Sequence, residues 1–172
     1  KYNLDNFDRD KYRESIGIKV NDYAILVLAE INKNKNHIQL IKAVNQLKDT
    51  NPNIKVLIAG RGPLEEKLKK KVEKLGLEGQ VKFLGFRTDV NELIGSCDCV
   101  GLFSLREGLG KCLLEGMYFG KQLIATDTRG PRELIENNKN GFLVPVGDYK
   151  YLAKCIKRIS SDSHSMRLAK KY

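Results

Sequence analysis

Tryptophan is missing from this chain of 172 residues, and histidine and proline are scarce, at two and four. With only His37 and His164 present, a histidine-rich metal site is excluded. The four cysteines, Cys97, Cys99, Cys112 and Cys155, follow neither a zinc spacing nor a disulfide framework, so they read as small buried residues of a reducing cytosol. No apolar stretch approaches the roughly 18 residues of a membrane-spanning helix. The N-terminus, Lys1-Tyr2-Asn3-Leu4, has neither an apolar signal region nor an initiator methionine, and it reads as the interior of a longer protein. Repeats, low-complexity segments and internal linkers are absent. Residues 1–20 are polar and read as a lead-in from a preceding domain.

What is present is ordinary for a soluble globular chain: 41% apolar and 30% charged residues, enough for one core of normal domain size. The charge is one-sided, with 31 basic against 21 acidic residues and a net +10. Such an excess suits an anionic partner, whether nucleotide, nucleic acid or an anionic membrane surface. Lys67, Lys69, Lys70, Lys71 and Lys74 concentrate it on one predicted helix, either a solvated face or a membrane-surface patch. No nucleic-acid motif or aromatic stacking platform accompanies it, so nucleic acid is not the expected partner.

Strand-like and helix-like segments alternate along the chain. Tyr23 to Ala29 is a near-continuous apolar run, as expected of a strand buried on both faces. Ile38, Leu40, Ile41, Val44 and Leu47 then recur at helical spacing between Asn36 and Lys48. Further strands are predicted at 54–59, 81–84, 99–103, 123–126 and 142–144. Helices are predicted from Pro63 to about Leu75, and at 89–94, 110–119, 131–136 and 149–159. Repeated β-α units with short loops predict an α/β fold, a doubly wound parallel sheet of Rossmann-like type. Ligands then bind at the carboxyl ends of the strands, on the loops after Leu28, Ala59, Leu84, Phe103 and Thr126.

Four of those loops carry notable residues. Gly60-Arg61-Gly62-Pro63 follows a strand, but a dinucleotide fingerprint needs a third glycine where Glu65 stands, and no Gly-Lys-Ser/Thr makes it a P-loop. It is a tight turn, or a place where backbone approaches a ligand. Asn32 to His37 is a polar loop whose lysines could reach a phosphate, with Asn36 placed to cap the next helix. In Thr126-Asp127-Thr128-Arg129-Gly130 the Asp or Thr could cap a helix, and Arg129 could meet an anion. The richest stretch is Glu107-Gly108-Leu109-Gly110-Lys111-Cys112-Leu113-Leu114-Glu115. A strand feeding a glycine turn that opens a helix makes an anion site from free N–H groups and the helix dipole. Two carboxylates there suit sugar hydroxyls better than phosphate. On a single helix they would stand roughly 12 Å apart, too far for the paired acids of glycoside hydrolysis. Glu107 is therefore expected in the loop and Glu115 in the second turn of the helix, in two separate binding roles.

Taken in order, these motifs resemble the C-terminal, donor-binding domain of retaining GT-B glycosyltransferases of family four, glycosyl transferases group one. The resemblance runs from about Ile25 to Asp148. Besides the pair of glutamates with seven residues between them, it rests on Ile58 to Pro63, Val81 to Phe86, Gly120 to Thr126 and Asn140 to Val144. It implies that Glu107 lies beside the donor sugar, that Gly108, Leu109 and Gly110 offer N–H groups to the sugar or diphosphate, and that Glu115 holds the ribose. It also implies that Lys35 neutralises the diphosphate, that Phe86 and Arg87 border the base largely through backbone, and that Gly62 lets the backbone approach the nucleotide. Where the family often has an arginine five residues before that lysine, this chain has Glu30, leaving Arg61 or Lys111 as further cations.

The function so implied is the donor half of a hexosyltransferase, moving a sugar with retention from a nucleotide diphosphate sugar, UDP-linked by family habit, in polysaccharide or glycolipid synthesis. No metal or other cofactor is expected. The implied partners are the nucleotide sugar and an acceptor-binding N-terminal domain, without which the chain is expected to be inactive. The location implied is cytoplasmic, with a peripheral place on the anionic inner membrane face as its variant. Two other classes stay open: a basic nucleic-acid-binding module, and a catalytically silent domain that senses nucleotide sugars.

Overall fold

The structure, a computed structural model, describes residue 4 and residues 6–161; His164 and the rest of the C-terminal tail lie outside them. Six strands form one parallel sheet: β1 (Tyr23–Leu28), β2 (Ile54–Ala59), β3 (Val81–Gly85), β4 (Cys99–Leu102), β5 (Gln122–Thr126) and β6 (Phe142–Val144). Their order is β3-β2-β1-β4-β5-β6. The chain winds outward from β1 to β3, returns to the middle, and winds the other way from β4 to β6. The order reverses between β1 and β4, where doubly wound sheets open a crevice at the strands' carboxyl ends.

The apolar runs become strands because helices cover both sides. On one face α2 (His37–Leu47), α3 (Glu65–Lys74) and α7 (Tyr149–Ser161) bury Leu40, Ile41, Val44, Leu68, Val72 and Ile156 against the sheet. On the other, α1 (Arg9–Ser15), α4 (Val90–Ser96), α5 (Lys111–Tyr118) and α6 (Arg129–Leu134) pack over Leu26, Leu57, Val100, Leu123 and Ala125. Each fully buried Leu or Ile contributes about 2 kcal/mol of transfer free energy. All four cysteines are buried and free. No helix among the described residues is long and apolar enough to cross a membrane.

Three helices differ from the sequence expectation. The polar lead-in contains α1, fastened by charge rather than by an apolar stripe. Its Arg13 is fully buried. That guanidinium donates to the Ser96 carbonyl at 2.7 Å, to Asp98 at 3.3 Å, and to the Lys19 and Asp22 carbonyls at 2.9 and 2.5 Å. Asp98 also accepts from Arg9 at 2.6 Å and from the Ala24 N–H at 2.8 Å. The second is α3, which starts at Glu65 and not at Pro63. Gly62 to Leu64 form a turn held to the β1 loop, since the Leu64 N–H donates to the Ile31 carbonyl at 3.1 Å. The third is α6, which begins two residues before Pro131. Proline fits there because the first N–H groups of a helix have no partner within it.

Candidate functional site at the reversal of strand order

The loops after β1 and β4 meet at the carboxyl edge of the sheet and are laced together. Asn34 grips the Arg106 peptide from both sides, its Oδ1 accepting from the N–H at 3.1 Å and its Nδ2 donating to the carbonyl at 3.0 Å. The Leu105 N–H donates to the Asn34 carbonyl at 2.7 Å. Asn32 Oδ1 fixes the turn before α2 by accepting from the Lys35 N–H at 3.0 Å. These bonds set Lys35 opposite Glu107, with Nζ 2.7 Å from Oε2. Two residues 72 apart in sequence thus form a half-buried ion pair at the reversal point.

Glu107 is held from below as well. Ser104 Oγ donates to the same Oε2 at 3.0 Å, and Thr126 Oγ1 donates to the Ser104 carbonyl at 2.6 Å. Ser104 and Thr126 are both fully buried. Burial by itself would raise the Glu107 carboxyl. Lys35, Ser104 and the Gly108 N–H outweigh it, so the group sits below the usual carboxylate range and is ionised at neutral pH. The loop beyond is squeezed from the β5 side: the Gly130 N–H donates to the Glu107 carbonyl at 2.9 Å. A Cβ on Gly130 would lie 2.6 Å from the Leu109 nitrogen and 2.7 Å from the Gly108 carbonyl carbon.

Gly110 takes the left-handed conformation, φ 76°, and opens α5 without a side-chain cap. Its turn leaves Gly108 in open space and Leu109 exposed. Glu115 lies in the second turn of α5 as expected, its side chain 14% exposed and 3.8 Å from Lys111 Nζ. An open cavity of about 460 Å³ adjoins this loop, lined by Leu105, Arg106, Glu107, Gly108, Thr128 and Arg129. A larger cavity, about 590 Å³, lies at the strands' amino ends beside Asp22, Asp98 and Lys121. Its charges already serve the fold, Asp98 through Arg13 and Lys121 through a 2.8 Å bond to the Gly95 carbonyl. The site is therefore placed at the opposite edge.

The remaining expected residues are spread along that edge. Gly62 presses on the backbone of Ile31, whose carbonyl oxygen would be 2.4 Å from an added Cβ, so a glycine is needed there for loop packing alone. Phe86, after the edge strand β3, is 71% exposed. Arg87 next to it is committed to Asp89 at 2.8 and 2.5 Å, and this pairing lowers the Asp89 carboxyl to about 2. From β3 to β4 is three strand spacings, about 14 Å, so only an elongated ligand can touch both Phe86 and Glu107. Asn36 precedes α2 in a left-handed conformation, but its amide bonds Gln39 and caps no backbone N–H. Asp127 pairs with Arg132 at 2.5 Å. Glu30 accepts from Asn32. Asn34, Ser104, Thr126 and Gly130 are site-building residues that sequence reasoning missed as such. Asn34, Thr126 and Gly130 stood in loops flagged for other reasons, and the burial of the Ser104 and Thr126 hydroxyls carries no local signal. Among the described residues no group of three His, Cys, Asp or Glu side chains is placed to hold a metal ion.

A doubly wound sheet with a cation–carboxylate pair across its reversal point and a glycine turn opening the next helix fits the resemblance to one half of a GT-B glycosyltransferase. Comparison with known proteins makes the assignment specific. The model of the family described as glycosyl transferases group 1 matches residues 8–172, and the chain belongs to that family. It is 40% identical over 152 residues to a protein named putative glycosyltransferase EpsD of Bacillus subtilis, covering 88% of this chain and 40% of that protein. A Campylobacter jejuni alpha-1,4-N-acetyl-D-galactosaminyltransferase, named for a diphospho-undecaprenol-linked glycan, is 34% identical over 81% of this chain and 39% of its own. The chain thus spans about two fifths of the curated relatives it matches. Among solved structures, Anabaena HepE in complex with UDP superposes with a TM-score of 0.86 at 30% identity, over 94% of this chain and 45% of that one.

Proposed function

We propose that the crevice between the β1 and β4 loops binds a nucleotide diphosphate sugar, UDP-linked, and presents it for transfer with retention. The observation that carries this reading is the Lys35–Glu107 pair at 2.7 Å, set beside the glycine turn at the head of α5. Glycosyl transfer builds positive charge on the sugar ring and negative charge on the departing diphosphate. Lys35 and the N–H groups of the turn are preorganised for the diphosphate, and ionised Glu107 for the sugar. Glu115 takes the ribose hydroxyls, with Phe86 and the Arg87 backbone beside the base. Lys35 and the turn supply the positive charge, so the reading needs no metal or other cofactor.

The relatives support the donor and the setting. HepE has been solved with UDP and with UDP-glucose, and the Campylobacter enzyme is named for a lipid-linked glycan. Because the chain spans about two fifths of such proteins, the acceptor is assigned to a further, N-terminal domain and the isolated chain is expected not to transfer sugar. Polysaccharide or glycolipid assembly on the cytoplasmic side is the corresponding setting.

A thermal-shift series with UDP, UDP-sugars, GDP and ADP, each with and without EDTA, tests the reading. A true donor raises Tm with concentration, by mass action, about 2.7 kcal/mol at a hundred times Kd. The shift should survive EDTA and shrink in Glu115→Ala and Lys35→Ala proteins that melt cooperatively without ligand. No response to any nucleotide at millimolar concentration would sink the reading.

A further inference from the structure

We propose that the face formed by α2, α3 and α7 is a docking surface for an anionic lipid bilayer. The net charge of the chain is not spread over its surface. The helix α3 carries Lys67, Lys69, Lys70, Lys71 and Lys74 against Glu65, Glu66 and Glu73. On α7 stand Lys150, Lys154, Lys157 and Arg158, and on α2 Lys42, with no carboxylate on either helix. These three helices therefore hold ten cations and three carboxylates, seven of the chain's ten net positive charges. The four helices of the opposite layer hold six cations and five carboxylates. Glu65 and Glu66 both bond the single Lys69, at 2.9 and 3.1 Å, so two of the three carboxylates are committed to one lysine.

The charged face is continuous. Lys48, just after α2, donates to the Leu75 carbonyl at the end of α3 at 3.1 Å, and Lys42 lies 5.5 Å from the ring centre of Tyr149 at the start of α7. Three neighbouring helices make a surface about 25 Å across. Its attraction reaches only about one Debye length, 8 Å at physiological salt, so only a partner broad enough to lie along the whole face gains from every lysine. A bilayer is such a partner, and each Lys or Arg brought to its surface adds to the binding. Nucleic acid fits less well. Nine of the ten cations are lysines, which act as hydrated point charges and lack the planar fork that recognises phosphates in pairs. Tyr151 is the large exposed apolar side chain among the described residues of these helices, and one ring is no stacking platform.

The geometry keeps the crevice usable. The docking face is a side of the sandwich, whereas Lys35 and Glu107 lie on the edge where the strands end. A chain lying on this face would hold the crevice beside the lipid headgroups, open to solvent and to a ligand in the membrane surface.

The test is co-sedimentation of the chain with vesicles of phosphatidylcholine alone and with about 30% phosphatidylglycerol added, at about 50 and about 500 mM salt. Binding is expected to the mixed vesicles at low salt only. Two surface double reversals, Lys154→Glu/Lys157→Glu on α7 and Lys70→Glu/Lys74→Glu on α3, should each weaken partition about ten-fold or more, while Lys11→Glu on the opposite layer changes it by less than about two-fold. The reversals should leave nucleotide-induced thermal shifts as they are, which separates failure here from failure of the donor site. Equal binding to neutral vesicles, equal loss in Lys11→Glu, indifference to both double reversals, or stronger binding to a duplex RNA at matched phosphate would each overturn the proposal.

Discussion

His37 opens α2 two residues beyond Lys35, is 1% exposed, and neither ring nitrogen meets a hydrogen-bond partner. Burial pushes its pKa down to about 4, and the Lys35 charge pushes the same way. An unfolded histidine titrates near 6.5, so the fold holds the ring neutral and the unfolded chain takes up its proton first. Stability from this group is therefore complete above about pH 6.5, falls as the pH drops, and levels off below about pH 4. The two pKa values give a loss of about 2 kcal/mol at pH 5 and about 3 kcal/mol at pH 4. The perturbation is His37→Leu, an apolar replacement of similar size that cannot titrate. Urea unfolding followed by circular dichroism at pH 7.5, 6 and 5 gives the free energy of each protein. Other groups titrate alike in both, so the difference between the proteins isolates His37. It should shift by about 2 kcal/mol in favour of the leucine variant between pH 7.5 and pH 5. A difference that stays constant within about 0.5 kcal/mol would refute the reasoning, because the ring would then protonate as readily folded as unfolded.

Three further outcomes are expected. Asp98→Ala removes the carboxylate partner of a fully buried guanidinium and should cost about 3–5 kcal/mol in denaturant unfolding, whereas Asp10→Ala on the exposed side of α1 should cost under about 1 kcal/mol. Gly130→Ala drives a Cβ into the Gly108–Leu109 backbone and should lower stability by about 1–3 kcal/mol, with nucleotide-induced thermal shifts reduced as well. Asn34→Ala removes both grips on the Arg106 peptide and should cost about 1–3 kcal/mol, with the Asp variant recovering part because its carboxylate can still accept from the Arg106 N–H.

Much of the sheet could be read in the sequence because its strands are buried on both sides. Tyr23–Leu28 and Ile54–Ala59 stand out as apolar runs with no helical period, and their order of appearance implied parallel pairing. The helix α1 escaped notice because its buried residue is an arginine, so there was no apolar stripe to detect. The start of α3 was misplaced because a proline suits the first turn of a helix in general. Here the neighbouring glycine is pulled onto Ile31, and that contact exists only in three dimensions. At the site, Glu107 stood out from its glycine turn and Lys35 lay in a loop flagged for phosphate, but the role of Lys35 came from a family resemblance and the pairing of the two has no local signal, since no pattern links residues 72 apart. Ser104 and Thr126 look like ordinary polar residues at strand ends. Their role depends on the hydroxyl of one reaching a carboxylate while its carbonyl receives the hydroxyl of the other.

The anchoring of α1 by Arg13 also bears on the making of the chain. The Ser96 carbonyl and Asp98 lie 83 and 85 residues downstream of Arg13. A ribosome adding about 5–20 residues per second needs roughly 4–17 s to deliver them. During that interval α1 has its local carbonyl contacts but no carboxylate, and it cannot dock. The segment β1 to β3 can assemble first as a three-stranded half, with α1 closing onto it only once the start of β4 has emerged. The first of the described helices to be made would thus be among the last of them to settle, and a nascent chain stalled before residue 96 would expose a charge the finished protein buries completely.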